Sequence, residues 1–178
     1  AAPKAEVTVS NLLTKDESGN PTGGIAYSKD ENGDFTAVTD GISTDSFADG
    51  ISYKNYWLKE KPELSIKVED PAGESGVKSG IKSVVVKELD STGKELYKES
   101  LYTDNYSTES KKTNVKYSVT ESYTVQSEGE VTLKIEVTDL SGNKTETFAT
   151  TANGTEDRDS LKFQIDTKDP AFIVSTSR

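Results

Sequence analysis

The chain has 178 residues, 31 of them acidic and 21 basic, and a formal net charge of −10. It holds no Cys, no His and no Met, which excludes a disulfide framework, thiol catalysis, Cys-based metal centres and His-dependent catalytic triads. The acid surplus argues against a nucleic-acid partner or an anionic membrane surface, and no apolar run reaches the roughly 18 residues of a spanning helix.

An apolar fraction of 31% with a mean hydropathy of −0.66 suits strands that keep one face wet, because only alternate residues then need be apolar. The lack of Met marks the chain as processed or as a piece of a longer one. In chain order, period-2 alternation appears first and briefly at Val7-Thr8-Val9. It returns at Leu64-Ser65-Ile66-Lys67-Val68, and residues 81–89, centred on Val84-Val85-Val86, read as a more deeply buried strand. Residues 95–101 and 144–150 are weaker candidates. Val115-Lys116-Tyr117-Ser118-Val119, then 131–138, then Leu161 to Ile165 complete the set. Turn signals fall between them at Asp70-Pro71, Asp90-Ser91-Thr92-Gly93, Ser127-Glu128-Gly129 and Leu140-Ser141-Gly142-Asn143. No window carries helical spacing. Seven to nine short strands predict an all-β sandwich.

Residues 11–56 break the pattern. They hold six of the 13 glycines and eight acids against three lysines, with no convincing alternating strand, and read as a decorated loop or a poorly cored subdomain. Residues 150–160 read as a polar loop between two strands.

Three motifs in order resemble bacterial immunoglobulin-like repeats of large surface proteins and adhesins. They are Leu64 to Asp70 followed by Ser79-Gly80-Ile81, the stretch from Val131 through Asp139 to Gly142-Asn143, and Phe163-Gln164-Ile165-Asp166-Thr167-Lys168-Asp169-Pro170. The resemblance covers about 61–170 and, weakly, 1–10. It implies an immunoglobulin-like domain over 1–170 with a long insertion between its first two strands, and residues 171–178 as a tail or the start of the next repeat. It also implies a bacterial cell-surface or cell-wall location, with neighbouring repeats as partners and a host glycan or protein as a further one. The expected role is a non-enzymatic, monomeric spacer and adhesion module.

Four groups of residues stand out as candidates. Tyr56 and Trp57 beside a polar stretch could form a stacking platform for sugars, the alternative reading as a carbohydrate-binding module; a lone Trp in a sandwich otherwise plugs its interior. Asp30, Asn32 and Asp34 stand at the i, i+2, i+4 spacing of a calcium loop, yet the rest of that loop's pattern is missing and short Asp/Asn/Gly runs also form turns. The resemblance places Asp70, Asp139 and Asn143 at one pole and Asp166 and Asp169 at the other, where neighbouring repeats would share calcium; Asp-Pro and Ser-Gly-Asn neighbours equally suit turns. Glu69, Glu136 and Glu146 lie on strands that alternate with Lys and read as a solvated face. Nothing isolates a catalytic pair, so no enzyme is expected, and no cofactor beyond calcium.

Overall fold

The computed structural model describes residues 2–11, 13–15, 17–18, 21–24, 26–37, 57–104, 115–147 and 162–168. Among these residues every regular element is a strand. In chain order they are β1 (Lys4–Val9), β2 (Leu13–Lys15), β3 (Pro21–Gly24), β4 (Ala26–Lys29), β5 (Phe35–Ala37), β6 (Trp57–Leu58), β7 (Glu63–Glu69), β8 (Ile81–Leu89), β9 (Glu95–Thr103), β10 (Ser118–Thr124), β11 (Gly129–Asp139), β12 (Lys144–Thr147) and β13 (Lys162–Ile165).

Alternation builds two facing sheets. One has the order β1-β7-β10; the other runs β5-β4-β6-β13-β11-β8-β9, with β12 beside β11. Ala5, Val7 and Val9 of β1, and Leu64, Ile66 and Val68 of β7, point inward from the small sheet and are buried. Val84 and Val86 of β8, Val131, Leu133, Ile135 and Val137 of β11, and Phe163 and Ile165 of β13 meet them from the large one. Burying an apolar residue of this size contributes about 1.5–3 kcal/mol, and the two inner faces form one continuous core. The sandwich is all-β, as the alternation predicts. Insertion strands aside, β1, β7 and β10 share one sheet and β8, β9, β11, β12 and β13 the other.

The insertion does fall between the first two sandwich strands, since β1 pairs directly with β7, Lys4 opposite Glu69 and Val9 opposite Leu64. It departs from expectation in containing strands. They are only three or four residues long, too short to show a period. β2 pairs with β3, while β4 and β5 form a hairpin that joins the large sheet through Ala26↔Leu58 and Tyr27↔Trp57.

Two other boundaries differ from the alternation. The strand read at 115–119 runs instead over Ser118–Thr124, because the carbonyls of Lys116 and Tyr117 accept loop bonds from Ile81 and Asp70. The segment read as a polar loop at 150–160 lies outside the described residues, but its flanks are informative. β12 pairs with residues 135–138 of β11, and β13 with residues 129–132, along the same edge. β12 and β13 are thus collinear along that edge of β11.

β9 closes the far edge. Val84 and Val85 pair with Tyr102 and Ser100, and Glu88 and Leu89 with Tyr97 and Glu95, so Leu101 and Leu96 are extra residues in two bulges. Bulges and charges on an edge strand oppose further sheet pairing.

Candidate functional site

Register fixes two poles. Lys4 lies opposite Glu69, and Asp139 opposite Ile81, so β1 begins where Asp70, Gly80 and Asp139 lie. Ile165 lies opposite Gly129, so β13 ends at the far pole.

At the N-terminal pole Asp70 and Asp139 are both buried, at 2% and 1% exposure, and both flank Gly80. The Gly80 N–H and the Ser79 hydroxyl donate to Asp70 Oδ2 at 2.7 and 3.3 Å. The Leu140 N–H, next to Asp139, donates to the Gly80 carbonyl at 2.9 Å. Gly80 has φ +102°, and a Cβ there would stand 2.2 Å from Val115 Cγ1, so only glycine fits between the two acids.

The chemistry of these acids is that of turns. Asp139 Oδ1 accepts the N–H groups of Ser141 and Asn143 at 2.9 and 2.8 Å, and its Oδ2 accepts Asn143 Nδ2 at 2.8 Å. Asp30 Oδ1 accepts the N–H groups of Asn32 and Asp34, both at 2.9 Å. Asp90 Oδ1 does the same for Thr92 and Lys94. All three turns have the form Asp-x-x-Gly-x, with the glycine at φ +87°, +87° and +94° and its N–H donating to the Asp carbonyl. Hydrogen bonds, first from the Thr92 hydroxyl, hold the Asp90 carboxyl below its ordinary range.

The 30–34 run and the 139–143 run therefore share one hairpin geometry with 90–94, which carries no metal signal at all. In it Asn32, Asp34 and Asn143 turn backbone N–H groups toward the Asp oxygen. Among the described residues no group of three acidic side chains is arranged to hold a metal ion. At the C-terminal pole Asp166 accepts the Lys168 N–H at 3.2 Å and stands 3.9 Å from Lys59 Nζ. Asp169 lies outside the described residues.

Trp57 sits half-buried on β6. The Phe35 ring meets it edge-on at 6.2 Å, and Lys29 Nζ lies 5.1 Å from its centroid. Lys29 and Lys59 also approach the Phe35 ring, at 5.4 and 4.5 Å. Each cation–π contact of this kind contributes about 0.5–1 kcal/mol at an exposed site. The cluster clamps the β4–β5 hairpin of the insertion onto the sheet edge. Tyr56, the other half of the expected platform, lies outside the described residues.

Two acids carry more structure than their sequence context suggests. Glu88 is fully buried between the sheets; its carboxylate accepts the Tyr123 hydroxyl and the N–H groups of Gln126 and Ser127, the latter two at 2.8 Å. Burial foremost, and then this bond, raises the Tyr123 hydroxyl above its ordinary pKa. Parity was the available signal, since Val84, Val86 and Glu88 alternate onto one face. Glu136, read as solvated, is 9% exposed, with Lys87, Lys144 and Lys134 at 2.9, 3.6 and 3.9 Å from its Oε1. Glu69 is exposed as expected, and the Glu146 side chain lies outside the description. A groove of about 340 Å³ on the large sheet is lined by one acid, Glu130, beside Thr132, Lys162 and Gln164.

Comparison with protein-family models, with curated proteins and with solved structures finds no match to this chain.

Proposed function

We propose that this chain is a non-enzymatic, extracellular module of a bacterial surface protein, acting as a structural spacer and adhesion repeat among neighbouring repeats. The observation that carries the reading is the placement of β1 and β13, the first and last of the described strands. β1 begins at the N-terminal pole and β13 ends at the opposite one, separated by the 11 residues of β11, about 35 Å at the rise of a strand. A chain that enters and leaves at opposite ends lengthens an array by the full height of each sandwich. Tension between these ends runs along the strand axes. It loads the β1–β7 and β13–β11 hydrogen bonds together in shear rather than one at a time.

The dense interior supports the same reading, as does the occupation of the polar groups at the N-terminal pole by turn and loop bonds. The resemblance of residues 61–170 to bacterial immunoglobulin-like repeats supports the location. The alternative, a carbohydrate-binding module, would use Tyr56 and Trp57, and Trp57 has Lys29 against its ring. A glycan array followed by Trp57 fluorescence separates the two. The spacer reading expects no specific polysaccharide or mucin signal and a cooperative unfolding step when the chain is stretched from its ends. Specific binding with quenching of Trp57 would transfer the assignment to carbohydrate recognition.

A further inference from the structure

The two poles differ in charge, although the chain as a whole is strongly acidic. Among the described exposed residues, the N-terminal pole carries Lys4, Lys78, Lys82, Lys116 and Lys144 against Glu69 and Glu74, a local surplus of three positive charges. The C-terminal pole carries Glu60, Glu63, Glu95, Glu128 and Glu130 against Lys94, Lys162 and Lys168, a surplus of two negative ones. Two of the four large apolar side chains most exposed in the described structure, Val77 at 68% and Tyr117 at 45%, also lie at the N-terminal pole. They are held there by backbone bonds from Gly73 to Val77 and from Asp70 to Tyr117. The inward-facing acids of this pole, Asp70 and Asp139, are buried and bonded, which leaves its rim to the lysines.

We infer that the N-terminal pole is a docking face for the C-terminal pole of a second copy of this chain, stacked head to tail. Lysines around Val77 and Tyr117 meet the glutamates around Glu128 and Glu130, and the apolar pair fills the centre of the contact. Such a contact joins two different patches, so it repeats without closing and makes a linear stack. Complementary charge sets orientation and register more than it sets affinity, which suits a joint that stiffens an array already linked covalently. The inference rests on the spacer reading and names the surfaces that meet.

The test is an NMR titration of the ¹⁵N-labelled full chain with unlabelled chain to about 1 mM, the range where weak contacts are seen. At low salt, shifts are expected at residues 77–78 and 116–117 and at residues 128–130, with the middle of both sheets silent. Salt of about 0.5 M shortens screening to a few ångströms and removes them. The pair Lys78→Glu with Lys116→Glu abolishes the shifts, as does Glu128→Lys with Glu130→Lys. All four changes in one chain restore them, since the poles are complementary again. No shifts at low salt, shifts at one pole alone, or shifts indifferent to the charge reversals would each overturn the docking. Such an outcome leaves the spacer reading to the stretching and glycan experiments.

Discussion

Glu88 of β8 and Tyr123 of β10 meet across the interior of the sandwich, the tyrosine hydroxyl donating to a carboxylate that has no exposure to solvent. The pair ties the two sheets together inside the sandwich. A buried carboxylate is tolerated only when its oxygens are satisfied, and the Gln126 and Ser127 N–H groups complete that set. Tyr123→Phe removes one donor and leaves a buried acceptor short of a partner, at an expected cost of about 1–3 kcal/mol, measured by urea unfolding near pH 7. A variant as stable as the parent would show the bond to be dispensable.

The same pair sets a dependence on alkali. Because the Tyr123 pKa is raised in the folded state, its contribution is complete below the free tyrosine value of about 10. It is lost as pH rises beyond that value toward the folded one, by at most ~1.4 kcal/mol per pH unit. Tyr102 is also raised, by burial first, so the informative quantity is the difference between the parent and Tyr123→Phe. The parent's unfolding free energy should fall more steeply between about pH 10 and 11 than the variant's. Parallel curves would remove Tyr123 as the cause.

The insertion should prove separable. Among the described residues it meets the large sheet through two residue pairs and the Phe35–Trp57–Lys29 cluster, and loop closure depends only weakly on length. Replacing residues 14–50 with a short Gly/Ser linker is expected to leave a cooperative thermal transition while shifting Trp57 emission to the red. Loss of cooperativity would place the segment in the core.

Glycines at positive φ should divide by what surrounds them. Gly80→Ala puts a Cβ into Val115 and the neighbouring loop and adds left-handed strain, a combined cost of about 2–5 kcal/mol. At Gly93 a Cβ meets nothing within 4 Å, so Gly93→Ala should cost only the left-handed penalty, about 1–2 kcal/mol. Equal thermal shifts for the two variants would contradict the crowding at the pole.

Calcium offers a direct comparison of turn and junction. If the Asp139 oxygens serve the turn, Asp139→Ala costs about 1–3 kcal/mol with or without added cation, and the single chain melts at the same temperature in EDTA and in millimolar Ca²⁺. A calcium-dependent rise in the melting temperature of the single chain, lost in Asp139→Ala, would establish a cation at that pole.

Much of the fold was legible because a half-buried strand writes its burial into alternate letters. Leu64-Ser65-Ile66-Lys67-Val68 and residues 131–138 announce strand, face and core at once, and Asp-x-x-Gly announces the turns between them. The sequence also placed Asp70 and Asp139 at one pole and Asp166 at the other, by the resemblance of three motifs in order. What it could not decide was who meets whom. Strands of three or four residues in the insertion carry no period, so the pairing of β4 with β6 depends on a sheet edge held by β13, more than 100 positions away. The collinearity of β12 and β13 exists only through a shared partner, β11. The burial of Glu88 and the cover of Lys87 and Lys144 over Glu136 follow from neighbours on other strands, which a local pattern of charges does not contain. A side chain's own chemistry is written in its residue, but its dielectric surroundings and its bonding partners are supplied only when distant strands are brought side by side.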